Sequence, residues 1–309
     1  MEEQLEDLLA SSLAVSDASS RLSQYKFKGK SNQEKRRREC LERQKRGRMD
    51  YTSVARNLAE VEPDQDVEMK TTKQKSRGRY YKDHLMLSEW LTEIPDDFYT
   101  HWLFIICPVG KRALVISSKG LTAAYTRTGY CLRRFPSALP GGSKRSGFTA
   151  QDYCILDCIF HEATRTFYVL DIMCWRGHVV YDSEAEFRLY WAKTKISEVE
   201  SLSRLRPSNP FRFLCVPYAE CTKENLAVQF KEEVPYEVDG VLFYHKEGHY
   251  CPEVTPLVTW IQPQGMKETL GVDATDAFLQ SRYKALTLEE LQVLGEKAIV
   301  SEPSAMETT

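Results

Sequence analysis

Long apolar runs are missing from this sequence of 309 residues, in which no stretch of 18 or more apolar residues occurs. A transmembrane helix needs such a run, so we expect no contact with a membrane. The first residues, MEEQLEDLL, are acidic where a secretory signal peptide would be basic. We therefore expect a soluble protein that is not secreted.

No CxxC pair occurs among the nine cysteines. The nearest pairs, Cys154/Cys158 and Cys215/Cys221, have no histidine at zinc-ligand spacing. Neither G-x-G-x-x-G nor a Walker loop occurs, so the sequence indicates no Rossmann or P-loop nucleotide site. We expect reduced thiols in a cytosolic or nuclear protein, with no metal and no cofactor.

Positive charge is concentrated in one segment, because residues 21–48 carry 12 Lys or Arg against 3 Glu in a chain of net charge −2. Ser31 and Glu34 form a capping-box pattern, and the next thirty residues contain no proline and only Gly47, which predicts one long basic helix. Its apolar residues are too sparse for a buried stripe, so we expect the helix to order fully on binding a partner. A solvated face and a nucleic-acid patch are the alternatives.

The first twenty residues contain five acidic residues and no basic one. Their apolar residues form a narrow stripe on a short helix: Met1, Leu5, Leu9, Leu13 and Val15. Such a stripe fits a hydrophobic groove on a partner, and a frayed terminus is the alternative. Residues 61–80 are polar and lack periodicity, which predicts a flexible linker.

From residue 81 to 271 the composition is typical of a globular domain. Seven strands are predicted: Trp102–Cys107, Ala113–Ser118, Cys154–His161, Thr166–Met173, Phe211–Val216, Gly240–Tyr244 and Leu257–Ile261. Helices are predicted at Ser183–Thr194 and Thr222–Phe230. This pattern predicts an α+β domain with mainly antiparallel sheets. Residues 272–309 contain one helical stretch, Thr287–Val300, and receive no functional assignment.

The stretch HWLFIICPVGKRALVIS, residues 101–117, places two short strands around a glycine loop that carries Lys111 and Arg112. A positively charged glycine loop between strands suits an anionic ligand. A hairpin with a charged tip is the alternative.

Five segments resemble, in order, the nucleotidyltransferase domain of messenger-RNA capping enzymes and DNA or RNA ligases: CPVGKR, ILDC, YVLD, VDGVLF and LVTWI. In that family a lysine nucleophile precedes the loop glycine by three residues, and two lysines lie on the last strand. Here Cys107 replaces the nucleophile and Val109 replaces the following acid, while Thr259 and Ile261 replace the two late lysines. A thiol lacks the amine of the phosphoramidate intermediate, so the resemblance implies a nucleotide pocket in a protein that is not an enzyme.

The basic segment resembles the importin-β-binding domain of nuclear import adaptors, in which an extended basic arm leads into a basic helix. A receptor lined with carboxylates explains why cations dominate such a helix. The resemblance assigns importin-β binding to Arg21, Tyr25, Lys26, Lys35, Arg36, Arg37, Arg38, Arg43, Lys45 and Arg46.

Both resemblances, together with the segments LMLSEWL, LPGG, LDIMCWRGH and NPF, match the snurportin family over about residues 1–271. This resemblance implies a nuclear import adaptor that binds the 2,2,7-trimethylguanosine cap of spliceosomal small nuclear RNA and enters the nucleus with importin-β. It also implies that an exportin binds the apolar stripe of residues 1–20 and returns the protein, which then shuttles between nucleus and cytoplasm.

The same resemblance assigns the cap site to Trp260, Trp90, Leu87, Ser88, Cys107, Arg112 and Arg127. A base methylated at N7 is cationic and gains from stacking on an indole, here that of Trp260, while Trp90 recognises the methylated edge. Leu87 and Ser88 lie beside the next nucleotide, and both arginines contact the phosphates. Lys144 and Arg145 are further candidates for RNA contacts.

Without the resemblance, these aromatic residues read as core tryptophans and these arginines as solvated cations. Two other functions also stay open. One is an active covalent nucleotidyltransferase with a displaced lysine, Lys111, and the other is a basic RNA-binding protein without cap specificity.

Overall fold

The computed structural model describes residues 33–47, 49–60, 80–144, 149 and 152–273. Several sequence-based predictions lie outside the described residues: the apolar stripe of residues 1–20, Arg21, Tyr25, Lys26, residues 61–79 of the linker, Arg145 and the helix Thr287–Val300.

Two N-terminal helices, α1 (Gln33–Arg46) and α2 (Tyr51–Glu60), replace the one long helix that the sequence predicted. Two helices form instead of one because Asp50 caps the start of α2. Its carboxylate accepts hydrogen bonds from the Ser53 amide at 3.0 Å and from the Ser53 hydroxyl at 2.6 Å. Asp is a favoured residue at this capping position, so the prediction of an unbroken helix was wrong.

The first sheet has five strands in the order β1-β12-β11-β2-β10. Strand β1 pairs in parallel with β12, and the other pairs are antiparallel. The strands are β1 (Met86–Trp90), β2 (Trp102–Pro108), β10 (Tyr218–Glu220), β11 (Val238–His245) and β12 (Glu253–Ile261).

The second sheet has the order β5-β4-β3-β6-β7-β8, and β9 pairs in parallel with β7. Its strands are β3 (Lys111–Ser118), β4 (Leu121–Tyr125), β5 (Cys131–Phe135), β6 (Cys154–His161), β7 (Thr166–Trp175), β8 (His178–Val179) and β9 (Arg212–Cys215).

Helices flank the two sheets: α3 (Phe98–His101), α4 (Ala185–Ser197), α5 (Lys223–Gln229) and α6 (Met266–Leu270). The seven predicted strands and two predicted helices of the domain are all present, which confirms an α+β fold with mainly antiparallel sheets. In the part of the chain that the structure describes, no helix is long and apolar enough to cross a membrane.

Alternation along the strands builds separate cores on the two faces of each sheet. On β2, Leu103, Ile105 and Cys107 join the core between the sheets, whereas Phe104 and Ile106 join the core on the outer face of the five-stranded sheet. Because both faces are buried, the strands read as continuous apolar runs. A polar side chain on an inward position of these strands is therefore enclosed between the sheets.

Candidate functional site

Two tryptophans lie side by side at one end of the five-stranded sheet. Trp90 on β1 is in register with Trp260 on β12, and the two residues are only 6% and 4% exposed. The first strand was predicted to begin at Trp102, but Leu87, Ser88 and Trp90 form an earlier strand, β1. Parallel pairing with β12 brings the two predicted aromatic ligands together.

The indole of Trp260 lies directly against the backbone of Gly240 on β11. A Cβ atom built on Gly240 would overlap with the Cζ2 and Cε2 atoms of that indole. This close approach gives a physical reason for glycine in the VDGVLF segment, because any larger residue would displace the ring.

Two hydroxyl groups near the tryptophans are buried without hydrogen bonds. The Oγ atom of Ser88 and the Oγ1 atom of Thr259 have no partner among the described residues. Register places Thr259 opposite Glu89, the residue that follows Ser88. Thr259 therefore points to the outer face of the sheet, where it lies opposite Phe243, whereas Trp260 points into the core between the sheets. Ser88 alternates with Met86 and Trp90 and shares their face of β1. Because a buried hydroxyl without a partner is costly, the Ser88 hydroxyl is suited to form a hydrogen bond with a ligand.

Cys107 stands at the position that a lysine nucleophile occupies in the nucleotidyltransferases. It is fully buried on β2 and is in register with Gly240. Burial raises the pKa of the Cys107 thiol well above its ordinary value, so the sulfur is not a thiolate at neutral pH. The side chain therefore lines the interior as a small apolar group.

Arg112 on β3 points into the space between the sheets and pairs with Asp157 on β6. Its Nε and Nη2 atoms donate to the two carboxylate oxygens of Asp157 at 2.5 and 2.7 Å. Burial disfavours the charge of Arg112, but Asp157 more than offsets this, so the pKa of Arg112 lies above its ordinary value. Arg112 is thus a permanent buried cation. No role for Asp157, which lies in the ILDC segment, was predicted from the sequence.

The other predicted phosphate and RNA ligands lie away from the sheet interior. Arg127 lies in the turn between β4 and β5 and forms an ion pair with Asp83 at 3.6 Å. Lys144 is exposed after β5. Lys111, the candidate for a displaced nucleophile, is 61% exposed and lies 3.7 Å from Glu162.

Helix α1 docks on the strand that carries the first tryptophan. The Arg36 guanidinium forms a two-contact ion pair with Glu89, with Nη2 to Oε2 at 2.8 Å. The Gln33 amide donates to Glu89 Oε2 at 3.0 Å and to the Trp90 carbonyl at 3.1 Å. Arg37 is buried, with its guanidinium carbon 5.5 Å from the Trp102 ring centroid, and burial lowers the pKa of Arg37.

The remaining cations of α1 are exposed to solvent. These exposed residues are Lys35, Arg38, Arg43, Lys45 and Arg46. Lys45 still contacts Glu247 at 3.4 Å. The helix packs against the chain's own domain through polar side chains, with hydrogen bonds from Gln33 to Glu89 and from the His249 amide to Gln44. The expectation that it orders fully on binding a partner stays a prediction.

Two family models match the sequence in separate stretches. The model described as "Snurportin1, m3G cap-binding domain" matches residues 84–263, which is more than half of the chain, and the model described as "Snurportin1" matches residues 20–57. The chain belongs to the snurportin family. The predicted family membership is confirmed, and strands β1 to β12 lie within the m3G cap-binding domain.

Solved structures of DNA ligases align with part of this snurportin. The ligase domain of M. tuberculosis LigD aligns with a TM-score of 0.41 at 15% identity, over 59% of this chain and 60% of that chain. Chlorella virus DNA ligase-adenylate aligns with a TM-score of 0.39 at 13% identity, over 58% of this chain and 68% of that chain. Such partial alignments say nothing about the chemistry of the snurportin. The roles of its individual site residues stay predictions.

Proposed function

We propose that this chain is a nuclear import adaptor that recognises the 2,2,7-trimethylguanosine cap of spliceosomal small nuclear RNA. The match of the m3G cap-binding domain to residues 84–263 carries the proposal. That stretch includes both strands that pair Trp90 with Trp260. The buried Ser88 hydroxyl, which has no partner among the described residues and lies on the same face of β1 as Trp90, supports a polar ligand at the same place.

The chemistry of the cap fits the residues present. Methylation at N7 makes the guanine cationic, and stacking of a base on an indole such as Trp260 contributes about 1–3 kcal/mol. Dimethylation removes both N–H donors from the exocyclic amine, so the apolar ring of Trp90 suits that edge better than a carboxylate. Arg112 supplies permanent positive charge for the triphosphate bridge.

The same residues favour binding without covalent catalysis. A nucleotidyltransferase needs an amine nucleophile with a lowered pKa, whereas Cys107 is a buried thiol with a raised one. The exposed side chain of Lys111 has none of the desolvated surroundings that activate a lysine. Thr259 and Ile261 leave the last strand without charge at the positions of the two lysines.

For transport, we propose that importin-β binds the basic segment and that an exportin binds the apolar stripe of residues 1–20. Five cations of α1 are exposed, which leaves them accessible to a receptor lined with carboxylates. The protein would then shuttle between nucleus and cytoplasm. Pull-down of importin-β by the full chain, compared with a variant in which Arg38, Arg43 and Arg46 are alanine, tests the first contact.

Titration with a triphosphate-bridged trimethylguanosine cap analogue, followed by tryptophan fluorescence, tests cap recognition. Trp260→Ala should weaken binding about 10- to 100-fold, as loss of a stacking contact predicts. Trp191→Phe is a matched control, because Trp191 lies on α4 beyond the seven-stranded sheet and its Nε1 atom has no partner among the described residues. This control should bind like the unchanged protein.

Two outcomes would replace the proposal. Equal inhibition by trimethyl and monomethyl cap analogues, or by neither, would favour an RNA-binding protein without cap specificity. A covalent adduct that survives denaturing electrophoresis after incubation with labelled GTP and magnesium would favour a nucleotidyltransferase.

A further inference from the structure

Arg112, Asp157 and Tyr250 form a buried polar unit that connects the two sheets and includes one residue of the candidate cap site, Arg112. Asp157 on β6 is completely buried and accepts three hydrogen bonds from side chains. Two come from Arg112, and the third comes from the phenol of Tyr250 at 2.8 Å. Tyr250 lies in the connection between β11 and β12 and is itself fully buried.

The unit binds both backbone polar groups of Met86, the first residue of β1. The Met86 amide donates to the Tyr250 hydroxyl at 2.9 Å, and the Met86 carbonyl accepts from Arg112 Nη2 at 3.2 Å. Met86 begins the strand that carries Leu87, Ser88 and Trp90. Strand β1 is an edge strand held by β12 alone within its sheet, so these two bonds give it a second anchor.

The same unit sets the orientation of the Arg112 guanidinium. Asp157 engages its Nε and Nη2 atoms, and Nη1 makes no hydrogen bond to the described residues. The planar fork of an arginine held at one edge presents its remaining donor in a fixed direction. A phosphate that approaches Arg112 would therefore meet Nη1, with no need to break the ion pair.

We propose that Asp157 and Tyr250 are positioning residues of the cap site, an inference that rests on the proposed function. Asp157 orients Arg112 toward the phosphates, and Tyr250 ties the same carboxylate to β1. One buried unit then sets the distance between the phosphate-binding part of the site and the part that reads the methylated base.

The primary test is Tyr250→Phe, measured with trimethyl and monomethyl cap analogues. The change removes one hydroxyl and leaves the Met86 amide buried without its partner, so β1 loses one of the two bonds that anchor it to the unit. We expect about tenfold weaker binding of the trimethyl analogue and a smaller trimethyl-to-monomethyl ratio, because a buried unpaired donor is costly. Destabilisation of the fold by itself would not reduce the discrimination between the trimethyl and monomethyl analogues.

Tyr181→Phe is the matched control. Tyr181 is also fully buried, packs edge-on against Tyr250 with ring centroids 5.6 Å apart, and has a hydroxyl without a partner among the described residues. Removal of that hydroxyl breaks no hydrogen bond of the unit. The control should keep both the affinity and the discrimination of the unchanged protein.

Asp157→Asn tests the phosphate half of the inference. It replaces one of the two carboxylate oxygens that hold the Arg112 fork with an NH₂ donor, so the guanidinium loses its fixed orientation. The gain in affinity from the triphosphate bridge, measured against trimethylguanosine nucleoside, should then shrink. An effect of charge alone would enlarge this gain, because a negative charge near the phosphates is removed. Asp157→Asn also leaves a buried cation uncompensated and can unfold the chain. For that reason Tyr250→Phe, checked by thermal unfolding, decides the inference.

The outcomes separate the two proposals. If the unchanged protein binds neither cap analogue, the proposed function fails and the inference fails with it. If the unchanged protein discriminates between the analogues and Tyr250→Phe retains both affinity and discrimination, the inference alone is wrong.

Discussion

The indole of Trp260 rests on the backbone of Gly240, with no room for a Cβ atom between them. Gly240→Ala should therefore displace the ring. Forcing a methyl group into a packed interior costs about 1–3 kcal/mol, and the shifted ring should also bind the cap analogue more weakly. Chemical unfolding and fluorescence titration measure the two effects.

Gly265→Ala serves as the control for that substitution. A Cβ atom at Gly265 would lie 3.4 Å from its nearest neighbour, Ile261, so the new methyl group meets little resistance. Unchanged cap binding by Gly240→Ala would show that the position of Trp260 is unimportant for the ligand.

Helix α1 is held on the domain by Glu89, which is 5% exposed and pairs with Arg36. Glu89→Gln should weaken this docking, because hydrogen bonds between charged partners contribute about 1.5–3 kcal/mol. We expect at least about fivefold faster tryptic cleavage within α1, since proteolysis follows the population of the opened helix. Mass spectrometry of the digest over time gives the rate.

Glu42→Gln is the corresponding control, because Glu42 pairs with Arg46 on the exposed face of the same helix. Exposed pairs contribute little to stability. Equal cleavage rates for Glu89→Gln and the unchanged protein would rule out the ion pair as the main docking contact.

Arg188 on α4 is the counter-ion of Asp171 in the interior, and neither side chain is exposed. It donates to both Asp171 oxygens at 3.0 Å and to the Ser183 and Gly248 carbonyls. Burial raises the pKa of Asp171, and Arg188 offsets part of that rise. Arg188→Leu should lower the free energy of unfolding by about 3–5 kcal/mol, because it leaves a buried charge unpaired.

Urea unfolding measures that loss. Arg204→Leu, which removes an exposed partner of Glu200, should leave the urea concentration at the unfolding midpoint unchanged. If the two variants unfold at the same urea concentration, the buried pair is not a stabilising element.

Acid should destabilise the domain through His245, whose pKa is lowered by burial even though Asp97 lies 3.2 Å away. The folded state then binds a proton less readily than the unfolded chain. The neutral His245 side chain contributes fully to the free energy of unfolding above the unfolded-state pKa of about 6.5. This contribution is lost as the pH falls toward the lower pKa of His245 in the folded state. Unfolding at pH 7.5 and 5.5 should show this decrease.

In His245→Gln the decrease between these pH values should be smaller. Burial also lowers the pKa of His84 and His249, so part of the decrease should remain. An identical pH dependence in the variant and the unchanged protein would contradict the assignment to His245.

The long strands could be predicted because both of their faces are buried. Continuous apolar runs such as Trp102–Cys107 and Cys154–His161 reveal such strands directly. The short strands at the edges, β8 and β10, escaped prediction because two or three residues carry too little periodic pattern. The separation of α1 from α2 was not predicted. The absence of proline indicated one continuous helix, and Asp50 was not recognised as a capping residue.

The family and the residue types of the site also follow from the sequence, because they depend on local segments such as LMLSEWL and VDGVLF. Contacts between distant segments do not, since no local pattern records which strand will lie beside another. The register of Trp90 with Trp260, the docking of Arg36 on Glu89 and the contacts among Arg112, Asp157 and Tyr250 join residues 45 to 170 positions apart. These contacts were decided by tertiary packing, which buries charged groups such as Asp157 and Glu89 and stabilises them only where an oppositely charged partner lies within reach.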